Sequence, residues 1–324
     1  MSAGSWTTDW QRTALAFSSA VDSGRLDLPL PGSGATRERW TAFADLAGED
    51  LSLARLGEGH ADAVAILAEL GGPRPDPGSR WGVWAANPPG PNVTAARLDG
   101  RWLLRGTKQY CSGARICTHA LVTAAADDGL RLFAVPTEQL EPDTASWPAT
   151  GMAGSDTLDV GFARITATPV GPPDGYVNRP GFSHGGVGVA ACWYGGARAV
   201  ARTLLHAASK RDVGPHALAH LGSVDLGLRA AWSALGQAAD EIDADPGDLE
   251  GEGPVRALRV RALTEAVATD VMARTGRALG AGPLGHDQAH SRAVADLTVY
   301  LRQHHAERDL ARLGELVAQG EDAW

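Results

Sequence analysis

Cysteine is scarce in this chain: three in 324 residues, Cys111, Cys117 and Cys192. None falls in a CxxC pair, and an odd count leaves one over in any disulfide scheme, so the pattern argues for a reducing compartment and a cytoplasmic protein. Positive charge is also in deficit. Lys and Arg total 29 against 38 Asp and Glu, a net charge of -9, which offers no general field to gather phosphates and argues against a nucleic-acid partner. Long apolar runs are missing. The longest strongly apolar stretch, 185–197, is closed by His184 and Arg198 and falls short of the roughly 20 residues needed to span a membrane. The N-terminus, MSAGSWTTDW, lacks the basic region and apolar core of an export signal. Aromatic residues make up only 6% of the chain, yet 10 of them are Trp, so some indoles are candidates for lining a site.

What remains is an ordinary globular composition, 44% hydrophobic and 21% charged, long enough for two or three packed units. Periodicity divides it. Residues 1–76 read as helical in two or three pieces, with Gly and Pro clusters at 29–34 and 71–78 as breakers. In the Ala- and Leu-rich stretch 51–70, Glu58, His60 and Asp62 are expected on an exposed polar face. From Trp81 the pattern is that of strands. Ala95–Leu98, the turn Asp99-Gly100 and Arg101–Arg105 predict a hairpin, because Asp-Gly supplies the positive φ of a two-residue turn. Ala120–Ala126, Asp127-Asp128-Gly129 and Leu130–Val135 predict a second, and short runs follow at 158–162 and 165–170. Residues 77–180 therefore read as a compact antiparallel β-barrel or sandwich.

After Gly188 the helical period returns. Ala197, Val200, Ala201, Leu204, Leu205 and Ala208 make one apolar stripe. Leu221, Val224, Leu228, Ala231, Leu235, Ala238 and Ile242 alternate three and four apart, the seam of a helix bundle. A third helix starts at Pro254 with Val260, Leu263, Val267 and Val271 on one face, and a last long helix is expected from about 288 to 319. Residues 181–324 thus predict an up-down four-helix bundle, and the whole chain an α+β fold.

Helices, a small β unit, then a bundle is the order of the acyl-CoA dehydrogenase superfamily, and the segments resemble it. WAANPPGPNVTAARLDGRWLLRGTKQYCSGA is similar to the family's β-domain opening. The resemblance puts Tyr110 at the aromatic beside the isoalloxazine and Ser112 at the hydroxyl that bonds the flavin near N5. It continues through LRLFAVP, WPATGMAGSDTLDVGFARITATPVG and GVGVAACWYGGARAVA. In SKRDVGPHALAHLGSVDLGLRAA, Arg211 matches an arginine that in the family reaches a flavin pyrophosphate across a subunit interface, a role suited to its planar fork. GRALGAGPL resembles the glycine-rich turn near the adenine end, at Gly280. The resemblance implies FAD held between β-domain and bundle, an acyl thioester or related small-molecule substrate, an electron-transfer partner or flavin reductase, and a homodimer or homotetramer.

Departures are as informative. The family's threonine-glutamate-proline loop reads Asn87-Pro88-Pro89 here, followed by a shortened Gly90-Pro91-Asn92, so Asn87 takes over a cofactor-binding position with altered contacts. The N-terminal helical domain is shorter by several tens of residues. Aligning ADLTVYLRQHHAERDLARLG puts His304 where the family's catalytic glutamate commonly stands, with His305 beside it. On a continuous helix His304 would share the apolar face of Leu297 and Tyr300, and His305 that of Leu301, so one of the two is expected to point inward. It would be either a core histidine held by Asp309 or Glu307, or a base beside the flavin, since imidazole titrates near neutrality.

Other motifs weaken on inspection. Adjacent histidines on a helix point about 100° apart and no HExxH occurs, so no metal site is expected. Gly185-Gly186-x-Gly188 is not followed by Lys-Ser/Thr and reads as a tight domain junction. There is no GxSxG elbow. His184 and Trp193 are candidates to face a substrate, with core packing the better reading for Trp193. Three functions compete: an acyl-CoA dehydrogenase-like flavoenzyme that removes an α-proton as hydride passes to flavin N5, favoured by the family's base rate; a flavin-dependent monooxygenase on the same fold, favoured by His304 and the Asn87 loop; and a degenerate, non-enzymatic member acting through its oligomeric surface.

Overall fold

The computed structural model describes residues 9–90 and 92–319. Residues 1–8 of the N-terminal stretch, and Pro91 of the Gly90-Pro91-Asn92 segment, lie outside the described residues. Three helices come first: α1 (Asp9–Asp22), α2 (Thr36–Glu49) and α3 (Leu51–Leu70). Seven strands follow: β1 (Trp81–Trp84), β2 (Thr94–Leu98), β3 (Arg101–Cys111), β4 (His119–Ala126), β5 (Gly129–Pro136), β6 (Glu141–Asp143) and β7 (Leu158–Val170). Helices then run to the end: α4 (Gly175–Asn178), α5 (Pro180–Lys210), α6 (Gly214–Ala244), α7 (Gly253–Leu279), α8 (Gly282–His286), α9 (Gln288–Tyr300) and α10 (Glu307–Gln319). The chain forms two compact units. One joins the residues up to Leu28 with Arg55–Phe182, and the other joins Pro29–Ala54 with the residues from Ser183.

In the first unit, β4, β2, β3, β7 and β5 pair in turn and β5 pairs back to β4, closing a barrel. Both predicted hairpins form. Asp99 and Gly100 have φ of +49° and +79°, the mirror-image turn whose twist suits two strands, and Leu98 faces Arg101 across it. The barrel is not wholly antiparallel, as the sequence suggested. β1 lies parallel to β4, with Trp81 opposite His119, and after the 85–93 connection β2 continues in the same direction, with Thr94 opposite Ala125. The runs 158–162 and 165–170 are one strand, β7, interrupted where Arg164 adopts φ +63° and the register against β3 shifts by one, a bulge that tightens the barrel's curvature.

Alternation along the strands separates two cores. Ala120, Val122 and Ala124 of β4 and Phe133 and Val135 of β5 point into the barrel with Trp84, Leu104, Val160 and Phe162. Their neighbours Leu121, Leu132 and Ala134 point outward against Ala63, Ile66 and Leu67 of α3. Glu58 and His60 of α3 do not lie on an exposed face: both are buried. Glu58 is neutralised by Arg55 at 2.6 Å, and His60 Nδ1 accepts the Trp81 backbone N–H at 3.2 Å.

The second unit is the bundle. The predicted α6 seam holds at Val224, Ala231, Leu235, Ala238 and Ile242, all buried. On α5 and α7 two residues leave the predicted stripes: Leu205 and Leu263 are exposed, and α7 instead turns Arg256, Ala257, Val260, Thr264, Ala268 and Val271 inward. α2 packs here too. Asp243 of α6 accepts the Gly34 and Thr36 backbone N–H groups and the Thr36 hydroxyl, capping the start of α2. The Gly185-Gly186-x-Gly188 run lies inside α5 rather than at a turn. The final helix is not continuous. α9 ends at Tyr300, a short 3-10 turn covers Leu301–Gln303, and α10 begins at Glu307. No helix among the described residues is long and apolar enough to cross a membrane.

Candidate functional site

The first group of predicted site residues lies on the barrel unit, at the end of β3 and its turn. Tyr110 adopts φ +60°, a conformation rarely held by an aromatic residue, and such strain concentrates at functional sites. The consequence is exposure: its ring is half out of the protein and meets Trp147 edge-on at 6.5 Å. Ser112 is buried. Its carbonyl accepts Trp84 Nε1–H at 2.9 Å and its hydroxyl lies 2.9 Å from that of Thr157. The Thr157 hydroxyl lies in turn 2.8 Å from that of Ser155. The turn after Ser112 is tied to the same segment through Gly113 N–H to the Ser155 carbonyl at 2.8 Å, Ala114 N–H to the Asp156 carbonyl at 3.1 Å, and the Arg115–Asp156 ion pair.

Asn87 is exposed in the 85–93 connection and its side-chain oxygen accepts from Asn92. Asn92 is anchored from inside the barrel. Lys108 Nζ reaches the Asn92 side chain at 3.2 Å, the Thr123 carbonyl at 3.0 Å and the Thr123 hydroxyl at 2.9 Å. Burial pushes this ammonium down to about 8, with the neighbouring Cys111 thiol opposing the shift. Burial likewise pushes the Cys117 thiol up to about 12, which leaves it a packed, unreactive side chain.

The second group lies on the bundle unit. His304 does not sit on a helix. It has extended backbone, φ -86° and ψ 128°, because Ala306 at φ +49° breaks the chain direction before α10. As expected, one histidine points inward: His304 is 5% exposed and His305 is largely exposed. The carboxylate expected to hold the inward ring serves the outer one. Asp309 accepts the His305 backbone N–H at 2.9 Å and approaches its Nδ1 at 3.2 Å, whereas His304 Nε2 is 4.0 Å from Asp309, beyond hydrogen-bond reach. Burial is opposed at Asp309 by the His305 N–H and the two imidazoles, which hold its carboxyl below the usual range. His304 Nδ1 accepts the Ala306 backbone N–H at 3.2 Å, and its buried Nε2 has no partner among the described residues. Burial lowers its pKa, Asp309 and Glu265 oppose the shift, and Arg261 and His305 add to it.

Arg261 fixes this break. It donates to the Gly186 carbonyl at 2.9 Å and the Gln303 carbonyl at 2.7 Å and lies 4.6 Å over the Trp193 ring. Trp193 is fully buried, as core packing requires, and His184 is buried with Nε2 3.2 Å from the Pro246 carbonyl. Arg211 is exposed just past α5, and Gly280 ends α7 with φ +67°. A groove of about 520 Å³ lined by Gln237, Glu241, Arg256 and Arg259 contains none of the predicted site residues. Thr157, Ser155, Lys108 and Arg261 received no role from sequence. For Lys108 a signal existed: it occupies an inward position in the β3 alternation, where a charge demands partners.

No family model matches the chain, and no curated protein matches its sequence. Solved structures do. Dibenzothiophene monooxygenase TdsC from Paenibacillus sp. A11-2 matches at 19% identity and TM-score 0.74, over 94% of this chain and 95% of that one. KijD3 in complex with FMN and a dTDP-amino-keto sugar matches at 18% and 0.74, over 96% and 92%. Methanesulfinate monooxygenase MsuC from Pseudomonas fluorescens matches at 18% and 0.72, over 96% of both chains. Likeness at these identities establishes the fold, the acyl-CoA dehydrogenase-like one implied by the sequence.

Proposed function

We propose that this acyl-CoA dehydrogenase-like chain is a flavin-dependent monooxygenase that uses reduced flavin, supplied by a separate reductase, to add oxygen to a small organic substrate. The observation that carries this reading is the state of His304. Its Nδ1 is occupied by the Ala306 N–H, so in the neutral ring the proton sits on Nε2. Nε2 is therefore a buried donor awaiting an acceptor. A thioester dehydrogenase needs the opposite at this position, an acceptor ready to take an α-proton. The fold neighbours named as monooxygenases support the same reading.

The residues on the barrel unit suit a flavin. Tyr110 and Trp147 offer an exposed aromatic wall against which a planar ring packs. Ser112 provides a hydroxyl from a rigid turn, and Lys108 holds Asn92 and through it Asn87. A bound flavin supplies the electron pair and the activation of oxygen. On the bundle unit, His304 Nε2–H is suited to donate to an oxygen atom that gathers negative charge, and burial, which lowers its pKa, favours the neutral ring. FMN, present in KijD3 and in FMN-bound TdsC, is the flavin assigned here in preference to FAD. Assembly as a homodimer or homotetramer belongs to the same reading: Leu218 and Leu226 of α6 and Leu263 of α7 lie exposed on the bundle.

The test supplies purified protein with FMN, a flavin reductase, a nicotinamide donor and oxygen, together with a panel of aromatic, sulfur-containing and amine substrates. A product heavier by one oxygen atom is expected. Anaerobic bleaching of bound flavin by acyl-CoA thioesters, without oxygenated product, would overturn the reading in favour of dehydrogenation.

A further inference from the structure

The three hydroxyls of Ser112, Thr157 and Ser155 have only one consistent arrangement of protons. Ser155 donates to the Met152 carbonyl at 2.7 Å, which uses its only proton. The 2.8 Å bond between Ser155 and Thr157 must therefore be donated by Thr157. Thr157 then has no proton left, so the 2.9 Å bond to Ser112 must be donated by Ser112. All three residues are buried, with Ser155 fully so, and the backbone ties between 113–115 and 155–156 hold the two segments in register. Water has little access to reverse the chain.

We infer that Thr157, held by Ser155, is a positioning residue that draws the Ser112 proton inward and leaves only lone pairs for a ligand, so that the ligand atom facing Ser112 must carry hydrogen. This rests on the flavin reading above and on the family resemblance, which implies that Ser112 meets the flavin near N5. N5 bears a hydrogen in reduced flavin and none in oxidised flavin. The relay thus selects the redox state: reduced flavin donates to Ser112, while oxidised flavin sets a lone pair against a lone pair.

The test is anaerobic equilibrium binding of oxidised FMN and of dithionite-reduced FMN to the full chain. Wild type is expected to bind reduced FMN at least about tenfold more tightly. Thr157→Val removes the acceptor and frees the Ser112 proton, and is expected to bring the two affinities to within about twofold, whereas Thr157→Ser keeps the preference. Ser112→Ala is expected to lose the preference as well, and Thr157→Val added to it should change nothing further, since both act through one hydroxyl. A wild type that favours oxidised FMN overturns the inference. So does a Thr157→Val or Ser112→Ala protein that keeps the wild-type ratio. Failure to bind FMN in either state overturns the flavin reading itself.

Discussion

The backbone N–H of Ala306 donates to Nδ1 of His304 across 3.2 Å, and this bond fixes the tautomer of a buried imidazole. The extended backbone of His304, φ -86° and ψ 128°, makes it possible. It takes the chain out of the helix so that the Ala306 N–H meets the His304 ring, a geometry unavailable in a continuous helix, where that N–H would be spent on a carbonyl four residues earlier.

Donor and base roles at His304 predict different mutants. Glutamine places an amide N–H near Nε2 but accepts no proton at neutral pH, so His304→Gln should retain a measurable fraction of turnover. His304→Ala should lose about hundredfold or more in kcat, with flavin affinity unchanged. Steady-state kinetics beside FMN titration checks this. Equal loss in both variants would return His304 to the base role.

Three buried or partly buried histidines give stability a common pH dependence. Burial lowers the pKa of His119, His290 and His304, in each case against the pull of nearby carboxylates. The unfolded chain takes up protons near pH 6.5, the folded chain only below that, so stability is full above about pH 6.5 and falls as pH drops through the window beneath it. Thermal unfolding between about pH 7.5 and about pH 5 should show a declining Tm, with a shallower decline in His290→Gln. A Tm that rises toward pH 5 contradicts the assignment.

Arg261 holds the Gln303 carbonyl and contributes to the low basicity of His304. In Arg261→Met the NMR titration of the His304 ring should move to higher pH, and turnover should fall about tenfold with little change in KM. Arg261→Lys restores the charge without the two-pronged grip, so it should recover the titration but only part of the turnover. An unmoved His304 titration in the methionine variant removes Arg261 from the site.

Gly195 sets how closely α5 approaches α2. A Cβ added there would lie 2.2 Å from the Ala44 carbonyl oxygen and 2.8 Å from the Ala47 side chain. Both neighbours belong to a helix, so neither yields without moving it. Gly195→Ala should cost about 1–3 kcal/mol in urea unfolding, and a neutral result would mean that α2 shifts freely.

The legible parts of this molecule are those whose signals are local. Asp99-Gly100 announced its hairpin because both residues of the turn need positive φ. The α6 seam showed through its three-and-four spacing because one face is buried along most of its length. The break at His304 was hidden for the same kind of reason: Leu297, Tyr300 and His304 keep helical spacing straight through it, and Ala306 carries neither the Gly nor the Pro that marks a turn. Burial of Glu58 is matched by its ion pair with Arg55, which the sequence does not announce. The hydroxyl relay joins Ser112 to Thr157 and Ser155, more than forty positions later, a pairing that only the folded barrel creates. Composition and period carry no record of it.

The course of the chain also has a consequence for how the protein is made. α2 belongs with the bundle, yet it is synthesised before the whole barrel, and its cap, Asp243, arrives 207 residues after Thr36. At ordinary translation rates the emerging α2 waits roughly 10–40 s for its partners. Until α5 emerges, Trp40, Phe43 and Leu46, all buried in the finished protein, have nothing of their own unit to cover them. The nascent chain is thus most exposed to chaperone capture while the barrel is folding, and a fragment ending near Phe182, at the start of α5, should be the one that holdases retain longest.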